Sequence, residues 1–245
     1  MKIYLVGGAV RDKLMGLKPK DLDYVMVLDN INISVEEGFK TMENYMINEG
    51  YKIFVSHPEM YTIRAKFPKG HKNEKQDADF VLARREIGYE EGTRRPILQL
   101  GTLYDDLERR DFTVNAMAED ENGDIYDPFN GKEDLRLKIL RTPIDAIVTF
   151  MDDPLRMIRA FRFSITKSFM VSEEVKNATS NPKVLEKLVD VVSQERIRDE
   201  FLKMFKHDSV KTMRLLVDVE QFYCKGFFDA CFGKGMWLEP TFKAK

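Results

Sequence analysis

The sequence predicts a mixed α/β domain with a mixed sheet, followed by an all-α region. In the first half, short apolar runs of strand length alternate with amphipathic stretches. The character of the chain changes after Gly131, and from Asp152 onward apolar residues recur mostly at helical spacing. We therefore predict one domain over residues 1–145 and a helical region over residues 146–245.

The elements of the first half follow in order along the chain. Residues 2–6 are typical of a buried strand that ends at Gly7-Gly8, and a helix is predicted from Ala9 to about Met15. Residues 85–101 are rich in Gly, Arg and Glu without a clear period and predict a mobile surface loop. Further strands are predicted at residues 24–28, 51–55, 61–67 and 79–84, a helix at 35–49, and a hairpin turn at 120–124.

Composition excludes several classes of protein. The 245 residues are 43% hydrophobic and 33% charged, which excludes a disordered or collagen-like chain. The net charge of −2 gives no global basic field for nucleic acid, although a local basic groove remains open. The only two cysteines, Cys224 and Cys231, have no ligand spacing around them, which argues against zinc or a disulfide framework. With no signal peptide or membrane-length apolar run, we expect a cytoplasmic protein without membrane contact.

The strand that ends at Gly7-Gly8 and leads into a helix is the first motif with possible chemistry. Glycine has no Cβ, so the backbone can approach a phosphate, and N–H groups at a helix start attract anions. A plain strand-to-helix corner is the alternative, and the glycines alone favour it.

Asp21 and Asp23 strengthen the functional interpretation. In an extended segment, residues two apart share a face, so both carboxylates point the same way. Paired carboxylates beside a phosphate-binding turn predict a Mg²⁺ site for an in-line phosphoryl displacement. The alternative is a pair of solvated loop residues.

Two later segments carry clustered charges. Arg109 and Arg110 offer bidentate donors to a triphosphate, and Asp111 and Asn115 are candidates to hold them. A charged helix face with internal ion pairs is the alternative.

A helix that begins near Asp153 would place this residue, Arg156 and Arg159 on one face and its apolar residues on the other. A rigid Asp–Arg pair presents the donors and acceptors that read a base edge. The alternative is that Asp153 only caps the helix before Pro154 and pairs with Arg156.

Together these segments resemble the class II tRNA nucleotidyltransferases and bacterial poly(A) polymerases of the DNA polymerase β superfamily. Residues 5–12 (LVGGAVRD) with Asp21-x-Asp23 resemble the catalytic motif of that family. Residues 109–116 (RRDFTVNA) resemble its motif at the sugar end of the triphosphate, and residues 153–163 (DPLRMIRAFRF) its base-reading helix. A weaker similarity at 194–201 (QERIRDEF) matches a helix that buttresses the base-reading one.

The resemblance implies a nucleotidyltransferase head, a helical neck and a partial body. It implies template-independent addition of C and A from CTP and ATP to a tRNA 3′ end, with release of pyrophosphate. A poly(A) polymerase, or a non-catalytic nucleotide- or RNA-binding module of the same fold, remains an alternative. The intact Asp21/Asp23 pair argues against the non-catalytic module.

The resemblance also implies a role for each candidate residue. Asp21 and Asp23 would hold Mg²⁺, and Asp79 would be a third carboxylate that activates or orients the 3′-hydroxyl. The phosphates, the incoming nucleotide and its base would be bound by Gly7, Gly8, Arg11, Arg110, Asp111, Asn115, Asp153, Arg156, Arg159 and Arg162.

Two departures from the family pattern shape the remaining expectations. Asp152 stands where the family usually has Glu, and members usually continue into domains that grip the tRNA. We expect a second copy of the chain, or a subunit that carries a tail, to complete the tRNA surface. The aromatic residues between Phe222 and Trp237 are expected to form core or a subunit contact.

Overall fold

The structure is a computed structural model that describes residues 1–89 and 96–233. Contacts divide the chain into two compact units, residues 1–132 and 133–245. The predicted boundary at residue 145 lies after this division, inside the second unit. Each unit is described separately below.

The first unit is built on a seven-stranded mixed sheet in the order β3-β4-β5-β2-β1-β8-β9. The strands of this sheet are β1 (Lys2–Val6), β2 (Asp23–Val27), β3 (Lys52–His57), β4 (Thr62–Lys66), β5 (Asp77–Leu82), β8 (Ala118–Glu119) and β9 (Ile125–Tyr126). A separate two-stranded sheet is formed by β6 (Arg84–Tyr89) and β7 (Pro96–Leu100). The helices are α1 (Gly8–Leu14), α2 (Val35–Asn48) and α3 (Leu103–Glu108), with a short 3₁₀ helix at Thr113–Asn115.

Strand direction makes the sheet mixed, as predicted. β2 is parallel to β5 and antiparallel to β1, while β4 is antiparallel to β5 and β3. One core cluster joins Val6 of β1 and Val25 of β2 to Leu107 of α3, all buried. The apolar runs at the start of the chain therefore became the central strands, because alternate side chains there are buried on the two faces of the sheet.

The prediction of a mobile loop at residues 85–101 is wrong in part. β6 and β7 form an antiparallel hairpin in which Arg84 pairs with Leu100 and Tyr89 with Pro96. The sequence of β6, RREIGY, is mostly polar and contains Gly, so it shows no apolar alternation to detect. Backbone hydrogen bonds to β7 define the ladder instead. Residues 90–95 lie outside the described part of the chain.

After the sheet the chain is mainly helical, which confirms the prediction. The elements are α4 (Gly131–Leu137), β10 (Ile139–Leu140), α5 (Ala146–Asp152), α6 (Leu155–Thr166), β11 (Met170–Val171), α7 (Glu173–Thr179), α8 (Pro182–Val191), α9 (Gln194–His207), α10 (Ser209–Asp218) and α11 (Phe227–Phe232). Side-chain caps define several helix starts; for example, Ser193 Oγ accepts from the backbone N–H of Arg196.

Aromatic residues fill the core of the second unit. Phe227 is buried and packs edge-on against Phe161 and Phe201, which confirms the core prediction for Phe227. Trp237 and the side chains of Phe222 and Tyr223 lie outside the described residues. In the ranges that the structure describes, no helix is long and apolar enough to cross a membrane.

Candidate nucleotide site

The turn between β1 and α1 requires glycine. Gly7 has a φ of 70° and a ψ of −137°, a conformation that L side chains rarely adopt. A Cβ on Gly7 would lie 2.8 Å from Nη1 of Arg110, and a Cβ on Gly8 would lie 3.3 Å from Nη2 of Arg11. The missing Cβ atoms therefore allow two guanidinium groups to lie against the backbone of the turn.

The candidate carboxylates meet beside this turn. Asp23 is the first residue of β2 and pairs with Val6 on β1 and with Asp79 on β5. Because neighbouring residues in register share a face, the carboxylates of Asp23 and Asp79 lie on the same side of the sheet. The backbone N–H of Asp79 also donates to the carbonyl of Leu22 at 3.0 Å, which ties the Asp21-x-Asp23 segment to β5.

Asp23 lies within electrostatic reach of the two other candidate carboxylates and of one arginine. Burial raises the pKa of Asp23 above its ordinary value, and Arg110 opposes this effect. The negative charges of Asp79 and Asp21 raise the pKa further. A set of oxygen donors with mutual repulsion fits a hard divalent cation.

Protein side chains alone do not complete a metal centre here. Across residues 1–89 and 96–233, no three His, Cys, Asp or Glu side chains are grouped so that they could hold a metal ion. A cation at Asp21 and Asp23 would need water or substrate oxygens as its other ligands, as Mg²⁺ commonly does.

A buried carboxylate holds the two arginines of the second motif. Asp106 is fully buried on α3 and accepts from Arg109 Nη2 at 2.5 Å and from Arg110 Nη2 at 2.8 Å. Burial alone would raise the pKa of Asp106, but Arg110 and Arg109 lower it below its ordinary value. The interpretation of this segment as a helix with internal ion pairs is therefore correct, and one of the paired arginines also reaches the Gly7 turn.

A second buried network fixes Arg11. Its Nη1 donates to Oδ1 of Asn115 at 2.6 Å, and its Nη2 donates to Asp12 at 2.8 Å. The amide of Asn115 donates in turn to Asp111 at 2.9 Å. Asp111 and Asn115 are both buried, so this network connects the first and second motifs through residues 104 positions apart in sequence.

In the second unit, Asp153 lies between α5 and α6 and accepts two different donors. Its Oδ1 accepts from the backbone N–H of Leu155 at 3.2 Å, a bond of the capping kind, although α6 has Pro154 and not Asp153 as its N-cap. Its Oδ2 accepts from Arg196 Nη2 on α9 at 2.8 Å. Arg156 donates through Nη1 to the carbonyl of Thr149 at 3.2 Å.

Further along α6, the other two candidate arginines lie near one ring. The guanidinium carbons of Arg159 and Arg162 are 5.9 Å and 4.4 Å from the centre of Phe163. Arg162 also forms an ion pair with Glu200 of α9. Burial alone would raise the pKa of Glu200, but Arg162, Lys203 and Arg159 lower it.

The structure thus groups the predicted residues into two sets. The set in the first unit comprises the Gly7 turn, Asp21, Asp23, Asp79 and the guanidinium of Arg110, with Arg11 on the following helix. The set in the second unit lies on or just before α6 and comprises Asp153, Arg156, Arg159 and Arg162. Sequence reasoning did not select three residues that hold these sets: Asp106, Arg196 and Glu200. Arg196 and Glu200 lie in the segment 194–201 that resembles the buttressing helix of the family, but that similarity gave neither residue a role. The signal for Asp106 was an opposite charge at helical spacing to Arg109 and Arg110.

The poly A polymerase head domain model matches residues 3–141 of the chain. The chain belongs to this family. The match confirms the resemblance drawn from the motifs, and membership implies a divalent metal cofactor.

Curated relatives of this head-domain protein are CCA-adding enzymes. It is similar to the CCA-adding enzyme of Francisella tularensis subsp. tularensis, with 35% identity over 86% of this chain and 53% of the relative. It is 37% identical to the multifunctional CCA protein of Pseudoalteromonas atlantica, over 74% of this chain and 40% of the relative. The chain therefore spans about half or less of the length of these relatives.

Solved structures resemble it to a similar extent. The CCA-adding enzyme of Bacillus stearothermophilus in complex with CTP has a TM-score of 0.68 and 29% identity, covering 87% of this chain and 47% of that chain. A tRNA nucleotidyltransferase complexed with a primer tRNA and an incoming ATP analog has a TM-score of 0.66 and 27% identity, covering 97% of this chain and 61% of that chain.

Proposed function

We propose that the chain carries the catalytic head of a tRNA nucleotidyltransferase that adds C and A to tRNA 3′ ends from CTP and ATP. One observation carries the proposal: Asp23 lies opposite Asp79 on adjacent strands, next to a glycine turn against which Arg110 lies. The names of the similar proteins support CCA addition as the reaction. The chain covers only part of those proteins, so the reaction of the whole protein is part of this proposal.

Asp21 and Asp23 would hold the divalent cation, which we propose to be Mg²⁺. When bound, the cation would neutralise the carboxylates and polarise phosphate oxygens. Burial, with added repulsion from Asp79 and Asp21, raises the pKa of Asp23, and a cation bound at this place would offset both effects.

The chain's own groups would position both reactants. The Gly7-Gly8 turn with Arg11 and Arg110 would bind the phosphates, because the two guanidinium groups lie against the backbone of the turn. Arg11 is held by Asn115, and Asn115 by Asp111, so the three would be positioned together.

Asp79 would orient the RNA 3′-hydroxyl and accept its proton. The hydroxyl oxygen then forms a bond to the α-phosphorus, the bond to the bridging oxygen breaks, and pyrophosphate leaves.

We further propose that α6 reads the incoming base. Asp153, held by Arg196, and Arg156 would offer an acceptor and donors to the base edge. Arg159 and Arg162 would support this surface through Phe163 and Glu200. We also propose a cytoplasmic location, because the proposed substrate is a tRNA.

Incubation of the purified chain with tRNAs that end before and within CCA, each with one labelled nucleotide, tests the proposal. Mg²⁺-dependent addition of C, C and then A, each only to the matching end, is the expected result. Runs of A would instead identify a poly(A) polymerase. Binding of nucleotide or RNA without any transfer would identify a binding module and contradict the proposal.

A further inference from the structure

The face of the sheet that carries the catalytic carboxylates continues beyond Asp79 to the sheet edge. In register with Asp79, β4 presents Arg64, and β3 presents Val55. In the adjacent row, Asp77 of β5 pairs with Lys66 of β4. Paired residues share a face, so these side chains lie on the same side of the sheet as Asp23.

The same row brings Lys52 of β3 opposite Lys66. Between the two rows, the register of β3 shifts, so that Phe54 is an extra residue without a partner in the ladder. Phe54 and its neighbour Val55 are consequently both exposed, to 45% and 39%. A bulge of this kind re-aims a side chain, and here it places an aromatic ring on the outer face of an edge strand.

Two lysines flank this exposed ring. The Nζ atoms of Lys52 and Lys66 lie 5.7 Å and 5.8 Å from the centre of the Phe54 ring. Two of the basic residues form long ion pairs with exposed carboxylates: Lys66 lies 3.8 Å from Asp77, and Arg64 lies 3.9 Å from Asp79. Exposed pairs at these distances bind weakly, so the cations remain available to an anionic ligand. We call Lys52, Phe54, Arg64 and Lys66 the outer β3-β4 face.

The position of this face relative to the Gly7 turn decides its ligand. The turn and Arg110 lie on the β1 side of Asp23, whereas the outer β3-β4 face lies on the β5 side. In an in-line displacement, the attacking and leaving oxygens are on opposite sides of the phosphorus. If the leaving pyrophosphate is bound at the turn, the attacking hydroxyl must approach from the β5 side, across strands that are about 4.8 Å apart.

We propose that the outer β3-β4 face binds the single-stranded 3′ end of the RNA that is extended, with a base stacked on Phe54 and phosphates beside Lys52, Lys66 and Arg64. An exposed aromatic ring between cations is the sequence-tolerant combination that binds single strands. Duplex RNA keeps its bases stacked and offers none to Phe54. This inference rests on the proposed function, since the direction of attack determines that the RNA with the attacking 3′-hydroxyl lies on this face.

Fluorescence anisotropy with two labelled RNA hairpins tests the proposal on the full chain without CTP or ATP. One hairpin carries a short single-stranded 3′ tail, and the other is blunt. We expect Phe54→Ala to weaken binding of the tailed hairpin about 5- to 150-fold, the range for loss of one stacked base. Phe54→Trp should retain wild-type affinity, and the blunt hairpin should bind all three proteins equally.

The lysines have their own signature. Lys52→Ala and Lys66→Ala should each reduce the slope of log affinity against log salt by about 0.7, as expected for one single-strand phosphate contact. Ile47→Ala and Lys40→Ala on α2 are matched controls, because these exposed residues lie on a helix away from this face. Both should bind the tailed hairpin like the wild-type chain.

Three results would overturn the inference: tailed RNA that binds no better than blunt RNA, unchanged binding by Phe54→Ala, or an equal loss for both hairpins. The binding assay needs no transfer, so it separates this inference from the proposed function. Phe54-dependent binding by a chain that transfers no nucleotide would keep the RNA surface and refute the function. Normal transfer with Phe54-independent binding would support the proposed function and refute the RNA surface.

Discussion

Two carboxylates, half-buried Asp23 in the first unit and buried Glu200 in the second, differ in the sign of the charges around them. In the first unit, Asp23 has a raised pKa because burial and the nearby charges of Asp79 and Asp21 outweigh Arg110. In the second unit, Glu200 has a lowered pKa because Arg162, Lys203 and Arg159 outweigh burial. Both residues are surrounded by charge, but only the environment of Glu200 is neutralised by protein side chains.

This difference separates Asp23, a carboxylate suited to bind a cation, from Glu200, a carboxylate that stabilises the fold. A carboxylate kept among like charges costs stability, and such costs are typical of functional sites. A buried carboxylate that is paired with cations has its charge compensated, and removal of one partner leaves the other charge buried without compensation. We therefore expect substitutions at Asp23 to affect activity and substitutions at Glu200 to affect stability.

The largest effect that this contrast predicts is on transfer. The double substitution Asp21→Asn/Asp23→Asn removes the cation ligands and should lower nucleotide incorporation by at least about 10³-fold, the scale of strong electrostatic catalysis. Labelled-nucleotide incorporation with Mg²⁺ measures the effect.

Glu49→Gln is the matched control for this double variant, since Glu49 is exposed at the end of α2. It should transfer like the wild-type chain, and circular dichroism should show that the double variant is folded. Measurable Mg²⁺-dependent transfer by the folded double variant would refute the catalytic assignment.

The opposite result is expected for Glu200→Gln. The side chains of Arg162 and Glu200 are only 15% and 5% exposed, so the change leaves a buried guanidinium without its anion. Loss of one partner of a buried pair costs about 3–5 kcal/mol in the free energy of unfolding. Urea unfolding followed by the helical circular dichroism signal measures it.

Glu195→Gln on the same helix is the control for Glu200, because the Glu195 side chain is 66% exposed. It should change stability by no more than about 0.5 kcal/mol. Equal stability of the two variants would show that the Arg162–Glu200 pair does not support the fold.

The sequence predicted the surroundings of Asp23 better than those of Glu200. The Gly7-Gly8 turn and the strand with Asp23 were predicted, because turn chemistry and short apolar runs are local signals. The resemblance to the family supplied Asp79, which the structure then placed in register with Asp23.

Long-range partners could not be predicted in the same way. Arg11 meets Asn115 from 104 positions away, and Asp153 meets Arg196 from 43 positions away. Only the packing of separate elements sets these pairs. The β6-β7 hairpin was missed for a related reason, since backbone pairing and not a side-chain pattern defines it.

A smaller effect concerns base selection by Asp153, just before α6, and Arg156 in its first turn. Asp153→Ala or Arg156→Ala should reduce the preference for C and A over G and U by about 1–3 kcal/mol, the value of one base-edge contact. Competition between labelled nucleotides measures preference, and the KM for CTP should change less than the ratio does. If both variants keep the wild-type preference, Asp153 is only a helix cap.

The smallest effect is the pH dependence of stability, and it has opposite signs at the two carboxylates. A raised pKa in the folded state means that Asp23 favours folding when protonated, and this contribution is lost as pH rises through the folded pKa, above 3.8. Asp23→Asn should therefore raise the unfolding midpoint at neutral pH. The gain should shrink as the pH is lowered into the range where the wild-type carboxyl takes up its proton.

Glu200 follows the reverse rule. Its folded pKa lies below 4.5, so its stabilising contribution is complete above that pH and is lost as pH falls through the folded pKa. Glu200→Gln should lower the unfolding midpoint at neutral pH, and the loss should shrink only in stronger acid. Midpoints for both variants and the wild-type chain, measured from neutral pH to acid, give two difference curves of opposite sign. Two curves of the same sign would mean that the charges around Asp23 are already neutralised in the folded chain, and the case for a cation there would fail.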